Sequence, residues 1–201
     1  MKRKRLQLLA PFILLVAMTF YSCENEIDVD PVDPAAIEDN QFSVASKGSL
    51  NTNGTTTTCT IGSNDHLCRT RDLIAGQNYV VGTVKVYCTD GTSDYKVVYD
   101  ITAPGCYLSE VHVYAGSEAD IPKTNSGCPK IGHFPQKLEG LSTTSVCVDV
   151  GTLPDEFTVA AHAVVNCSGS PYDGEETAWG DGKRFPDCNN WSECFVVDCK
   201  K

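Results

Sequence analysis

The cysteines of this chain constrain its fold more than any other feature. Eleven occur in 201 residues, one at position 23 and ten between positions 59 and 199. In an exported chain an even set of this size predicts a disulfide framework, here of up to five bridges. A zinc site is the alternative, and it is disfavoured because no C-x-x-C pair occurs. The ten are Cys59, Cys68, Cys88, Cys106, Cys128, Cys147, Cys167, Cys188, Cys194 and Cys199.

The first 22 residues are typical of a secretion signal. A cationic MKRKR precedes an apolar stretch from Leu6 to Tyr21, and Ser22 follows directly before Cys23. The apolar stretch is shorter than the roughly 20 residues that a membrane-spanning helix needs, which disfavours the alternative of a permanent membrane helix. We therefore expect residues 1–22 to be removed on export.

The junction Ser22-Cys23 resembles the cleavage site of bacterial lipoproteins, although Phe20 stands where Leu is usual. The following ENEIDVD resembles the acidic tract of Bacteroidota-type surface lipoproteins. This resemblance implies that Cys23 carries the lipid, and anchoring by two or more chains is stable. It predicts a protein held on the outer membrane by its lipid anchor and facing the cell exterior.

The charge of the mature chain excludes one class of partner. Four of the sixteen Lys and Arg residues lie in the leader, which leaves twelve against twenty-six acidic residues, a net charge of −14. Nucleic-acid binding requires a basic face, so a nucleic-acid partner is not expected.

The rest of the chain divides into a tether and one domain. Residues 23–58 are acidic and Thr-rich with few apolar residues, as in a solvated linker. Residues 59–201 show short apolar runs separated by turn residues, which predicts an all-β fold, a single disulfide-stapled antiparallel β-sandwich. No cofactor is expected.

Strands are predicted at 79–88, 94–101, 106–116, 144–150, 157–167 and 194–199. The first three are expected to form a meander, which would place Cys88 and Cys106 too far apart to bond. The run AAHAVV inside 157–167 predicts a strand in the middle of the sheet. Between Gly116 and Gly140 we expect a long surface excursion, a kind of loop that is often functional.

Two histidines are candidates for chemistry. Glu110 and His112 share one face of their strand, so the carboxylate is placed to orient the imidazole or raise its pKa, unless this face simply meets solvent. His162 lies among Ala and Val, and a buried imidazole needs a hydrogen-bond partner. A satisfied structural histidine and a ligand-binding one both remain open.

The segment EETAWGDGKRF, residues 175–185, is predicted to be a loop with a binding role. An exposed Trp179, with Glu176 and Asp181 beside it, would offer a stacking surface for sugar rings. The alternative is a Trp packed in the core. The acids at 173, 175, 176 and 181 also raise the possibility of calcium, although their spacing does not match the known loop motif.

The ordered motifs LIAGQNYVVGTVKV, LSEVHVYAGSEADIP, GCPKIGHFP, AAHAVV and ETAWGDGKRF with NW resemble a recurrent secreted β-domain family of bacteria and fungi. The resemblance covers about residues 73–198. It implies a single extracellular module and supplies no activity or catalytic residues.

The sequence thus predicts a surface lipoprotein that binds an extracellular glycan or surface protein through Trp179, Glu176, Asp181, His162, Glu110 and His112. A hydrolytic enzyme with a pocket formed by Glu110, His112, His162 and Glu176 is one alternative. A structural or adhesion protein of the envelope is another.

Overall fold

The computed structural model describes residues 58–169 and 173–199. The predicted signal peptide, the lipid-bearing Cys23 and all but the last residue of the predicted tether lie outside these residues. Within the described part of the chain, no helix is long and apolar enough to cross a membrane.

Ten strands and two short 3-10 helices make up the described structure. The helices are Glu118–Asp120 and Ile131–His133. The strands are β1 Asp65–Ala75, β2 Tyr79–Thr89, β3 Asp94–Ile101, β4 Cys106–Gly116, β5 Gln136–Thr143, β6 Ser145–Thr152, β7 Glu156–Cys167, β8 Gly174–Gly180, β9 Lys183–Arg184 and β10 Glu193–Asp198.

Eight strands form one continuous antiparallel sheet in the order β5-β4-β7-β8-β1-β2-β3-β6. The two end strands are consecutive in the chain with only Thr144 between them, so the sheet curves round until its ends meet. The result is a nearly closed barrel. The all-β, antiparallel and disulfide-bonded parts of the prediction are confirmed, but one curved sheet replaces the two packed sheets of a sandwich.

The predicted meander is correct for β2 and β3 only. These two strands pair along Gly82–Cys88 and Tyr95–Ile101, but the other edge of β3 is taken by β6. Because β3 has no free edge, β4 lies elsewhere and pairs with β5 and β7. As predicted, β7 lies within the sheet, with β4 on one edge and β8 and β10 sharing the other.

Four disulfides cross-link the described residues: Cys59–Cys147, Cys68–Cys199, Cys106–Cys167 and Cys128–Cys188. The predicted disulfide framework is present with four of the possible five bridges. Cys88 and Cys194 are buried free thiols, so the expectation that these two cysteines also form a disulfide is wrong. These two cannot bond to each other because they belong to separate hydrophobic clusters. Burial raises the pKa of the Cys194 thiol to about 11, which keeps it protonated at neutral pH.

The larger cluster fills the barrel interior with alternate side chains of the strands, among them Val84, Val97, Val111 and Ala161. A second cluster lies on the outer surface of β4, β7 and β8, where residues 117–135 and 181–192 cover it. We call it the outer cluster, and its buried members are Tyr114, Ile121, Phe134, Ala160, Trp179, Phe185 and Cys194. The predicted excursion is therefore a cover that is tied to the second covering segment by Cys128–Cys188.

Candidate functional site

Three of the predicted site residues stand side by side across the sheet. His112 of β4 is directly opposite His162 of β7, which in turn is directly opposite Trp179 of β8. Residues in direct register share a face, so their side chains project together to the outer surface. We call these three residues the histidine row. The three residues come together because of the strand register, and the sequence motifs that contain them do not predict this register.

The histidine row is closed to solvent. His112, His162 and Trp179 are exposed by only 6%, 4% and 4%. The Nδ1 atoms of the two imidazoles lie 3.4 Å apart, so one donates a hydrogen bond to the other. The His162 ring meets the Trp179 ring edge-on, with centroids 5.0 Å apart.

Burial controls the protonation of both histidines. Desolvation, with a smaller contribution from His112, lowers the pKa of His162 to about 3. Desolvation also lowers the pKa of His112, and Glu139, whose Oε1 lies 3.8 Å from Nε2, partly opposes this. The Nε2 atom of His162 is buried without a hydrogen-bond partner. At neutral pH the pair is therefore uncharged and behaves as packed, partly satisfied core.

The acidic residues near the row do not form one pocket with it. Glu110 faces the same side as His112, and burial together with Glu139 and Glu175 raises its pKa. Glu176 is opposite Val165, an interior residue, and so lies on the other face of the sheet. The four side chains of the enzyme hypothesis are thus divided between two faces.

The Trp179 segment is a strand where a loop was predicted. Residues Gly174–Gly180 form β8, and the Trp179 ring is packed in the outer cluster and buried, not exposed on a loop. A sugar ring cannot stack on it unless the covering segments move. Asp181 follows the strand and lines a separate cavity, which sequence reasoning did not identify.

This cavity lies in a gap of the barrel wall. Among the described strands, β8 pairs with β1 only along Leu73–Ala75, so the earlier half of β1 has no strand on that edge. Across the gap stands β10, which pairs with β7 and β9. We call the space between them the β1–β10 cleft. It has a volume of about 390 Å³, and its lining includes Arg69, Arg71, Asp181, Lys183, Phe195 and Val196.

Backbone contact fixes the edge of the cleft near β9. A side-chain carbon on Gly182 would lie 2.2 Å from the Cys194 carbonyl oxygen, so only glycine allows this approach. The Gly182 N–H also donates to Glu193 Oε2 at 3.0 Å. These contacts hold Asp181 and Lys183 against the wall formed by β10.

Arg71 is the most distinctive group in the cleft. Its guanidinium carbon lies 5.9 Å from the centre of the Phe195 ring, within the range of a cation–π contact. Its Nε atom is buried and has no hydrogen-bond partner. Because buried donors are nearly always paired, this unpaired N–H distinguishes Arg71 from the other residues that line the cleft.

The remaining charges of the cleft are mixed. Arg69 lies two residues before Arg71 on β1 and also lines the cavity. Lys183 Nζ is 3.7 Å from Glu118 Oε1, so the Glu118 carboxylate already has a cation beside it. The only sequence signal for this site was the spacing of the arginines in RTR, which places both on one face of a strand.

One group of described side chains has metal-like spacing. Potential ligand atoms of His66, Cys68 and Cys199 all lie within 4.8 Å of one another, but the two sulfurs are bonded to each other in this structure. The acids considered for calcium are not in this group, and Glu175 and Glu176 face opposite sides of β8. Calcium binding stays a prediction.

No protein-family model matches the chain, and neither the curated proteins nor the solved structures contain a significant match. The resemblance to a secreted β-domain family stays a prediction.

Proposed function

We propose that this protein is a lipid-anchored surface module that binds an anionic extracellular ligand, most directly an acidic sugar, in the β1–β10 cleft. The observation that carries the proposal is the buried, unpaired Nε of Arg71 at a cavity that it shares with Arg69. Two arginines in one cavity are notable in a mature chain with a net charge of −14. They provide local attraction for an anion that the remaining surface repels.

The dimensions of the cleft support a small ligand. Its volume of about 390 Å³ falls within the range typical of small-molecule sites. A guanidinium presents a planar pair of donors that matches a carboxylate or a sulfate. Val196, which is 48% exposed, supplies apolar surface at the rim for the carbon face of a sugar.

The proposal keeps the glycan as the class of ligand that the sequence predicts, but it places the binding site in the β1–β10 cleft and not at Trp179. Trp179 packs in the outer cluster next to the cleft, with His162 against its ring and His112 against His162. Asp181 lines the cleft. The anchor at Cys23 and the position on the outer membrane remain part of the proposal. Mass spectrometry of the protein from its native membrane, with Cys23→Ala as the control, tests the anchor.

Calorimetry on the mature chain with its native disulfides tests the binding site. The ligands are oligogalacturonate, a sulfated oligosaccharide and a neutral oligosaccharide of similar length. We expect binding of an acidic ligand that weakens with added salt, and at least about tenfold weaker binding for Arg71→Gln, which equals about 1.4 kcal/mol. Arg71→Lys keeps the charge without the planar donors, so it should restore only part of the affinity.

The matched control is Lys130→Gln, which removes an exposed cation outside the cleft. It should bind like the wild type. Equal binding of neutral and acidic ligands, or unchanged affinity in Arg71→Gln, contradicts the proposal. A preference between the carboxylated and the sulfated ligand identifies the anion.

A further inference from the structure

One disulfide differs from the others in its surroundings. Cys68 on β1 and Cys199 just after β10 are bonded, and the Nε2 of His66 lies 3.2 Å from the Cys199 sulfur. The Nδ1 of the same ring lies 2.7 Å from Asp90 Oδ1. The hydrogen bonds of the described residues place no imidazole at another bridge. Carboxylate, imidazole and sulfur therefore stand in line at this bridge alone.

We propose that the Cys68–Cys199 disulfide is a thiol-exchange site. An external thiol attacks the sulfur of Cys68, and Cys199 is the leaving sulfur. His66, which Asp90 orients, stabilises Cys199 as it leaves. The substrate class is a low-molecular-weight thiol or the dithiol of a reducing protein outside the cytoplasm. The proposal is independent of what the cleft binds.

The fold explains why these groups meet. Cys68 has no cross-strand partner, because the register between β1 and β2 shifts between Leu67 and Arg69. Such a bulge redirects the side chain of its extra residue, here toward β10. His66 comes two residues earlier on the same strand, and Asp90 lies in the turn between β2 and β3, where its N–H donates to Asn64 O.

The two cysteines of the bridge differ in exposure. Cys68 is partly exposed, whereas Cys199 is only 3% exposed. A thiol from solvent therefore approaches the bridge from the side of Cys68, and the Cys199 sulfur leaves beside the imidazole. Exchange is faster when the leaving thiol is easily ionised, and a neighbouring protonated histidine produces that effect.

The tautomer follows from the contacts. Asp90 accepts the hydrogen bond from Nδ1–H, which leaves Nε2 to face the sulfur. When the ring is protonated, Nε2–H donates to Cys199 Sγ and can transfer its proton there. Asp90 is a positioning residue, because it acts on the sulfur only through His66.

The exchange balances in two steps. In the first, a thiolate forms a bond to Cys68 Sγ, the Cys68–Cys199 bond breaks, and its electron pair stays on Cys199. In the second, another thiolate attacks the external sulfur of the mixed disulfide, the two external thiols leave as their disulfide, and Cys68 takes up a proton. The external thiols are oxidised and the protein bridge is reduced.

The consequence for the fold is local. The bridge joins β1 to the end of β10, the two strands that border the β1–β10 cleft. Its reduction removes the covalent tie between these walls, while the three other bridges remain.

The experiment is timed reduction of the full mature chain with glutathione, followed by alkylation and mass spectrometry of each cysteine. The internal reference is Cys59–Cys147, which also joins a partly exposed cysteine to one that is only 6% exposed. We expect Cys68–Cys199 to be reduced about tenfold faster than the reference. Equal rates overturn the proposal.

Two variants separate the chemistry from simple exposure. His66→Asn should slow reduction of Cys68–Cys199 about tenfold without changing the reference, whereas His133→Asn, an exposed histidine elsewhere, should change neither. An unchanged rate in His66→Asn overturns the proposal.

If His66→Asn speeds reduction of the reference bridge, the substitution has loosened the fold of the variant. The Asp90→Asn variant then tests the proposal. The Asp90 side chain is 65% exposed, so this variant removes the charge with little risk to folding. We expect a rate about threefold lower for Cys68–Cys199, because a positioning residue contributes less than the group that it orients. A rate equal to that of the wild type overturns the proposal.

Discussion

The histidine row and the β1–β10 cleft show two opposite uses of polar residues on one barrel. The row contains two imidazoles and an indole under a cover of two chain segments, and each of the three is at most 6% exposed. The cleft contains two arginines beside open space, and one guanidinium nitrogen has no partner. The two histidines and Trp179 are part of the packed core because chain segments cover them. The two arginines lie beside a cavity because the sheet leaves a gap there.

The largest expected effect tests whether the row is core. Trp179→Ala should lower the free energy of unfolding by about 3–5 kcal/mol, because it leaves a cavity in the outer cluster. Urea unfolding followed by circular dichroism measures the loss. The surface substitution Lys130→Gln serves as the control and should change stability by less than about 0.5 kcal/mol. A similarly small change for Trp179→Ala would mean that the ring is a surface group after all.

The next effect concerns the tie across the cleft. Replacing both Cys68 and Cys199 with Ala should cost about 2–4 kcal/mol of stability, since it releases a loop that spans 131 residues. Hydrogen exchange should then rise first in β10 and in the earlier half of β1, the strands that border the cleft.

The matched control is the pair Cys106→Ala with Cys167→Ala. That bridge joins residues that are already in register on paired strands, so its loss should leave exchange in β10 nearly unchanged. If the two double variants show the same rate of hydrogen exchange in β10, the Cys68–Cys199 bridge does not specifically stabilise the strands that border the cleft.

The sequence predicted most of the strands but not their order. Alternation in YVVGTVKVYC and DYKVVYDI reflects local burial, and both segments are strands that pair as expected. Pairing of β4 with β7 brings together residues about 50 positions apart, and no local pattern encodes that choice. The sequence does not predict β1, because Arg69 and Arg71 occupy positions where a buried strand would carry apolar side chains.

The candidate site was predictable in part for the same reason. Residue type alone suggested His112, His162 and Trp179, and register does bring them together. Their burial depends on residues 117–135 and 181–192, which have no periodic pattern from which a covering position could be read. The cleft depends on where β8 stops pairing with β1, which is a property of the whole sheet.

The third expected effect is a pH dependence of the free energy of unfolding, which His162 of the histidine row causes. The pKa of His162 is lowered from 6.5 to about 3 by burial, so below pH 6.5 the unfolded chain binds a proton that the folded chain does not. Stability contributed by the neutral ring is present above pH 6.5 and is lost as pH falls toward 3. Between pH 7 and pH 5 the wild type should therefore lose about 2 kcal/mol more than His162→Gln.

Urea unfolding at several pH values measures this difference, and His133→Gln provides the control. His133 is exposed, so its replacement should leave the pH dependence of stability unchanged. A wild type and a His162→Gln variant with parallel pH profiles would show that the ring is protonated in the folded protein, and hence that water reaches the row.

The smallest expected effect on stability concerns Glu110, which lies on the same face of β4 as His112 of the histidine row. Burial, Glu139 and Glu175 raise the pKa of Glu110, so its charged form is less favourable in the folded protein than in the unfolded chain. Glu110→Gln should therefore stabilise the protein at pH 7 by up to about 0.5 kcal/mol, and this gain should vanish near pH 3, where the carboxyl is protonated in both states. Urea midpoints at the two pH values provide the measurement. A loss of stability at pH 7 would instead reveal that the Glu110 carboxylate accepts a stabilising hydrogen bond in the folded protein.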